Sequence, residues 1–427
     1  MKELVSAELE GARSRSMGLL APLSEDDLQR QHSPLMSPLV WDLAHLGNYE
    51  DIWLLRGVGA PGVGRSYDAL YDAFRHPRTS RPSLPLLGPK EARAYVGSVR
   101  SRALDVLERI ELDPAEPLLD GAFVYGMVVQ HEHQHDETML ATLQLMAAPG
   151  YRPLAPTPPA APGDVAGEVL VTGGGFPMGT DAEAWAYDNE RPAHVVDVPP
   201  FFIDIGPVTN AAFAEFVEAG GYRQRRSWGD TGWEWRCETG AEHPQFWRRE
   251  GAGSWSRLRF GIREELPGDQ PVQHVCWHEA DAFARWSGKR LPTEAEWEKA
   301  ASWDADAGHK RRYPWGDEAP GPDRANLGQR HFGPAPAGAY PAGASPWGCL
   351  GMVGDVWEWT ASDFTAYPGF RSFPYREYSE VFYGHEYKVL RGGSWATWPT
   401  AVRNTFRNWD YPVRRQIFAG FRCARDA

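Results

Sequence analysis

The sequence predicts an α+β protein built in two parts, a four-helix bundle over 1–146 and an irregular mixed domain over 168–427. Three observations predict it. Apolar residues recur at helical spacing through the first part. The stretch AAPGYRPLAPTPPAAPGDVAG (147–167) is rich in Pro, Ala and Gly, which reads as a stiff linker. Beyond it, strand-like pieces such as EVLVTGG, HVVDVPPFFID, VLRGGSW and FAGFRCA alternate with loops rich in Gly, Pro and Trp.

The elements follow in order. A first helix is expected over about 3–20, broken at Pro22, with Ser24 capping a short second one. Pro34 and Pro38 break the chain again before LVWDLAHLGNYEDIWLLR, which carries one stripe of Leu39, Leu43, Leu46 and Trp53 and another of Trp41, His45, Tyr49 and Ile52. Its polar side is only Gly47, Asn48 and Asp51, so this helix belongs well inside the bundle and His45 faces inward. Further helices are expected over about 90–111 and 119–146, giving an up-and-down bundle. In the second part, helices are expected over about 209–219 with Thr209 as N-cap, over about 277–287, and from Pro292 onward.

Composition narrows the function. A chain of 427 residues with 42% hydrophobic and 24% charged residues is an ordinary globular composition, although its 19 Trp are unusually many. A net charge of −13 argues against a nucleic-acid or anionic-membrane partner. The four Cys are scattered, with no Cys-x-x-Cys pair, and read as buried small side chains in a reducing compartment. The first residues have no apolar core of a signal peptide, and no apolar run approaches the ~20 residues of a membrane span, so a cytoplasmic protein is expected. A monomer acting on small molecules is the expected assembly.

The densest chemistry lies in Gln130-His-Glu-His-Gln-His-Asp-Glu137. His131 and His135 are four apart and share a face with Val124, Met127, Val128, Thr138, Thr142 and Leu145, while His133 points elsewhere. A lone buried His is ordinarily a hydrogen-bonded core residue. Two on one apolar stripe each need a partner, and a metal serves both. With His45 on a facing helix, three nitrogens converge and leave open positions for substrate or oxygen. Imidazole suits Zn, Fe, Cu and Ni alike. A His-Glu-x-x-His zinc hydrolase needs Glu132 as base, yet Glu132 sits about 100° round the helix from His131. Arg78 and Arg81 lie in a basic turn that reads as a solvated loop. Arg403, Arg407, Asp410, Arg414 and Arg415 form either a surface ion-pair network or a clamp for an amino-acid-like ligand. The loop YPGFRSFPYREYSEVFYG offers tyrosines for packing or for proton donation.

At this point the strings WDLAHLGN and HEHQHDETML resemble the DinB-like helical domain. GGGFPMGTD, PVQHVCWHEADAFARWSGKRLPTEAEWEKAA, MVGDVWEWTASDF and GFRCARD resemble the formylglycine-generating-enzyme (sulfatase-modifying factor) domain, which has a C-type-lectin-like fold. Their pairing resembles the hercynine oxygenases of ergothioneine biosynthesis, and FRNWDYPVRRQIFAGFR resembles the type that uses γ-glutamylcysteine. The resemblance implies a non-haem iron(II)- and O2-dependent sulfoxide synthase, with free cysteine as the alternative sulfur donor and a non-catalytic lectin-like module as the contrasting reading. It implies His45, His131 and His135 as iron ligands and Tyr375 as the catalytic proton donor. It implies Gln134, Tyr378, Asn408 and Trp409 at the hercynine site and Arg78, Arg81, Asp410 and Arg414 at the γ-glutamyl end. Formylglycine-generating enzymes use a cysteine pair near this end of the domain. Only Cys423 is present here, so that activity is not expected, and His133 is expected to have a surface or inter-helix role.

Overall fold

A computed structural model of the chain describes residues 1–146, 151, 153–163 and 165–427. Of the expected linker, 147–150, 152 and 164 lie outside the described residues. The chain divides into two compact units, one of Met1–Arg152 with Ala182–Trp185 and the other of Pro153–Asp181 with Ala186–Ala427. The part of the expected linker from Pro153 onward thus counts with the second unit, and a short excursion of the later chain counts with the helices.

The first unit contains α1 (Lys2–Leu20), α2 (Glu25–Gln29), α3 (Leu39–Glu50), α4 (Pro89–Arg109) and α5 (Phe123–Leu145). Ser24 caps α2 by accepting from the Asp27 N–H, and Pro89 opens α4, where its missing N–H costs nothing. Helix α3 runs on into a π-helical turn at Asp51–Leu55 and a 3-10 turn at Arg56–Val58. Its expected polar side is not solvated. A Cβ on Gly47 would come within 2.8 Å of Val96 Cγ1, so the missing side chain lets α4 approach. Asn48 donates to Asp68 (2.9 Å), and buried Asp51 pairs with Arg56 (3.0 Å). Polar residues here are buried with partners, which periodicity alone does not reveal.

Each of the four long helices contributes one charge to a closed ring. Arg13 of α1 meets Glu50 of α3 and Glu132 of α5, both at 2.8 Å, and Arg100 of α4 meets Glu50 (2.5 Å) and Glu132 (2.8 Å). Burial alone would raise the Glu132 carboxyl, but Arg13 and Arg100 outweigh it and hold it down at about 2. Alternating signs satisfy every member, the condition under which buried ions are tolerated.

The second unit contains β1 (Glu168–Val171), β2 (Gly174–Met178), β3 (His194–Val198), β4 (Phe201–Asp204), α6 (Asn210–Glu218), α7 (Asp230–Thr239), β5 (Trp247–Gly251), β6 (Ser254–Arg259), β7 (Ile262–Glu265), α8 (Trp277–Trp286) and α9 (Glu294–Ser302). After them come β8 (Trp303–Asp304), β9 (His309–Lys310), β10 (Trp357–Asp363), β11 (Lys388–Arg391), β12 (Asn408–Asp410), β13 (Ala419–Gly420) and β14 (Ala424–Asp426). They form small sheets ordered β1-β4-β14, β12-β11-β10-β13, β2-β3, β5-β6-β7 and β8-β9. Thr209 caps α6 as expected. Helix α7 and the β5-β6-β7 sheet are not among the expected elements, although Gly251-Ala-Gly253 is a turn signal.

Many of the tryptophans belong to this core. Trp297, Trp359 and Trp395 are fully buried, with Trp297 Nε1 donating to Glu358 (2.7 Å) and Trp359 Nε1 to the Val275 carbonyl (3.0 Å). Large rings with a satisfied N–H fill volume that so little regular structure leaves open. Buried guanidiniums do similar work, as where Arg422 grips Glu358 through Nε (2.7 Å) and Nη2 (2.8 Å). The expectation of buried cysteines holds for Cys276, Cys349 and Cys423 but fails for Cys237, which is exposed on α7. Among the described residues no helix is long and apolar enough to cross a membrane.

Candidate metal centre

Helices α3 and α5 position the three histidines by register. His131 and His135 lie one turn apart on α5, and His45 projects from the middle of α3 towards them. Ring centroids are 5.2 Å apart for His45–His131, 4.9 Å for His45–His135 and 4.7 Å for His131–His135. One ring nitrogen from each lies within 4.8 Å of the others, a cluster that could hold a metal ion.

The surroundings fit a metal. His45 Nδ1 lies 2.8 Å from the Tyr71 carbonyl, which fixes the tautomer with the proton on Nδ1 and leaves Nε2 as a donor atom. His135 Nδ1 lies 3.3 Å from Asp42 Oδ1 of α3, the carboxylate–histidine arrangement that orients many metal ligands. Burial, then the neighbouring His135, lowers His45 to about 3, and burial with both other rings lowers His131 well below the usual range. Both rings are therefore neutral near pH 7, the form that binds metals. Parallel rings of α3 cover two of the imidazoles. Trp41 stacks on His45 (4.8 Å, 11°) and Tyr49 on His131 (3.8 Å, 16°).

The rest of the histidine string has other duties. Glu132 belongs to the charge ring, so it faces Arg13 and Arg100 and supplies no base. His133 is not at the surface. It is buried, with Nε2 3.2 Å from Arg15 of α1 and Nδ1 3.6 Å from Asp136, and burial then Arg15 lowers it to about 3. Gln134 is half-buried on the turn that joins the two metal-facing histidines.

Arg81 is not in a solvated loop. It is buried, its guanidinium lies 3.5 Å over the Trp41 ring, and it donates to Ser37 Oγ (2.5 Å) and the His76 carbonyl (3.0 Å). Arg78 donates to the Leu35 carbonyl (2.8 Å).

The other candidates lie in the second unit. Strand β12 pairs with β11, with Lys388 opposite Asp410 and Leu390 opposite Asn408, so Asn408 and Asp410 share one face and Trp409 takes the other. Trp409 stacks on Phe364 (4.1 Å, 8°) and meets the edge of Tyr378 (6.0 Å), which in turn stacks on Tyr187 (4.0 Å). Tyr375 lies edge-on to Tyr378 at 6.2 Å. The structure thus brings Tyr375, Tyr378 and Trp409 into one aromatic group. Arg414 Nε lies 3.4 Å from Asp410 Oδ1, and its buried Nε and Nη1 make no hydrogen bond among the described residues. The neighbouring arginines are structural, not a surface network. Arg403 grips Glu190, Arg407 grips Glu294 through Nε (2.7 Å) and Nη2 (3.0 Å), and Arg415 pairs with Glu279 (2.9 Å). Their carboxylate partners lie more than a hundred residues earlier, so local spacing gave no signal of them.

Comparison with known proteins assigns the family. Residues 8–139 match the DinB superfamily, and residues 154–427 match the sulfatase-modifying factor enzyme 1-like domain. The chain is 52% identical to a hercynine oxygenase of Mycolicibacterium thermoresistibile, over 99% of this chain and 94% of that one. It is 51% identical to a hercynine oxygenase of Mycobacterium tuberculosis, over 99% of each. The chain belongs to the hercynine oxygenase family. Like the family, it is an oxidoreductase with a helical DinB-type part and a mixed second part. A formylglycine-generating enzyme of Streptomyces coelicolor is 36% identical over 64% of this chain and 93% of that one.

Proposed function

We propose that this chain is an iron(II)- and O2-dependent sulfoxide synthase of ergothioneine biosynthesis, joining the sulfur of γ-glutamylcysteine to the imidazole carbon of hercynine. The reading rests on the convergence of three imidazoles within 4.8 Å in a chain of this family. The S–H and C–H bonds give way to a C–S bond, and sulfur gains one oxygen. These two oxidations release four electrons, which reduce O2 to the sulfoxide oxygen and water. Iron(II), when bound, supplies the redox centre at which thiol and O2 meet.

His45, His131 and His135 would hold that centre with three neutral donors, and none of them would cancel its positive charge. Tyr375 holds a phenolic proton for the oxygen being reduced. Trp409 and Tyr378 offer ring faces to the trimethylammonium group, and Asn408 and Gln134 offer polar contacts to the rest of hercynine. Arg414 Nη1, which makes no hydrogen bond among the described residues, suits the carboxylate of the γ-glutamyl end, with Asp410 for its ammonium. Pinning each substrate at its charged end orients sulfur towards carbon. A zinc hydrolase reading is disfavoured because Glu132, its required base, is held in ion pairs with two arginines.

The test is anaerobic titration with iron(II), followed by product mass after adding hercynine, air and either γ-glutamylcysteine or cysteine. The expected product has the summed mass of the two substrates, less two hydrogens and plus one oxygen, and forms faster with γ-glutamylcysteine. His131→Ala should neither bind iron nor form it. Thiol-independent hydrolysis supported by zinc, without oxygen uptake, would overturn the reading. Faster turnover of cysteine would replace the sulfur donor alone.

A further inference from the structure

The three candidate ligand rings are oriented by different means. His45 has the Tyr71 carbonyl and His135 has Asp42. Among the described residues, His131 has neither a hydrogen bond nor a carboxylate neighbour of this kind. What it has is the ring of Tyr49, parallel at 16° with centroids 3.8 Å apart. Tyr49 is four residues after His45 on α3, so the same helical face that presents one ligand covers another. Its ring is buried and is backed by Trp53, one further turn along, at 6.2 Å.

A parallel stack restrains the plane of an imidazole yet leaves both nitrogens open at the ring edge. An imidazole that donates to a dication becomes electron-poor, and its face is then drawn more strongly to an electron-rich phenol ring. The contact therefore stabilises the metal-bound ring more than the free one.

We propose that Tyr49 is a positioning residue for metal capture, its ring holding His131 in the coordinating plane in place of the polar neighbours that flank the other two histidines, the Tyr71 carbonyl at His45 and the Asp42 carboxylate at His135. This rests on the reading of His45, His131 and His135 as the metal ligands.

The test is anaerobic titration with cobalt(II), read by visible absorption and calorimetry, on the wild type, Tyr49→Phe, Tyr49→Leu, His131→Ala and Leu43→Ala. Leu43 is a buried α3 residue outside the ring stack and controls for loss of packing. Tyr49→Phe should bind like the wild type, and Tyr49→Leu should bind on the order of tenfold more weakly with a shifted cobalt band. Leu43→Ala should lose stability but keep the wild-type band. Wild-type binding by folded Tyr49→Leu overturns the proposal, as does an equal loss in Leu43→Ala. The wild type and Tyr49→Phe carry the test if Tyr49→Leu does not fold. Cobalt should perturb the near-ultraviolet tyrosine band of the wild type but much less that of Tyr49→Phe, and identical difference spectra overturn the proposal. Failure of the metal-centre reading itself looks different, because His131→Ala would then bind cobalt as well as the wild type.

Discussion

Glu132→Gln distinguishes a frame residue from a catalytic base. In the structure Glu132 Oε1 accepts from Arg13 Nε and Oε2 from Arg100 Nη2, both at 2.8 Å, and its side chain is almost wholly buried. A glutamine keeps the shape but turns an N–H2 towards one guanidinium and leaves two buried cations facing the single remaining carboxylate of Glu50. Breaking a buried pair in this way costs about 3–5 kcal/mol. In a unit of this size each kcal/mol moves the melting temperature by about 2–4 °C, so a fall on the order of 10 °C is expected. Scanning calorimetry measures the fall, and product formation measured well below the transition should stay close to wild type once iron is saturating. The opposite pattern refutes the reasoning. An unchanged melting temperature with a rate lowered about a hundredfold or more is what loss of a general base gives, and it would return Glu132 to the chemistry.

Three further outcomes are expected. Burial raises Asp188 to about 6, against hydrogen bonds from Ser379 Oγ and the Phe373 N–H (3.1 Å). Its folded value is the higher one, so this group's contribution is fully present below about pH 4 and is lost as pH rises to about 6. The stability gain of Asp188→Asn over wild type, read from denaturant unfolding at each pH, should therefore grow across that window and then level, reaching about 2–3 kcal/mol, and a flat difference would count against it. Arg414→Ala should raise KM for γ-glutamylcysteine far more than KM for hercynine, and equal rises in steady-state kinetics would misplace the clamp. A Cβ at Gly126 would lie 2.2 Å from the Trp185 ring, whose Nε1 donates to the Gly121 carbonyl (3.1 Å). Gly126→Ala should thus lose about 1–3 kcal/mol in urea unfolding despite alanine's better helix propensity, and a stabilised variant would contradict that packing.

What the sequence reveals here depends on whether the partners are local. His131 and His135 are read from one helical turn, and His45 from the apolar girth of its own helix, because both signals lie within one element. Ser24 and Thr209 are read the same way, since a cap is a neighbour in sequence. The charge ring is not legible. Arg13, Glu50, Arg100 and Glu132 are each an ordinary charge on an amphipathic helix, and only tertiary packing makes them one group. Arg81 reads as a loop cation because nothing nearby in sequence announces the Trp41 face beneath it. His133 is the instructive case: its angle away from His131 is readable, and of the two roles that angle allows, surface or inter-helix, the structure shows the second, with the ring buried against Arg15 of α1.

Helix α5 has almost no wet side over this stretch. Gln130 is tied to the Trp185 carbonyl, His131 and His135 to the imidazole cluster, Glu132 to the charge ring, and His133 and Asp136 face α1. In the language of mutational tolerance, six of the seven positions from Gln130 to Asp136 carry nearly no neutral alternatives, and a library randomised over them is expected to return mostly unfolded or metal-free chains. Altered substrate choice has to be sought where the constraint relaxes. Half-buried Gln134 and Glu137 are such positions inside the string, and the loops of the second unit supply others.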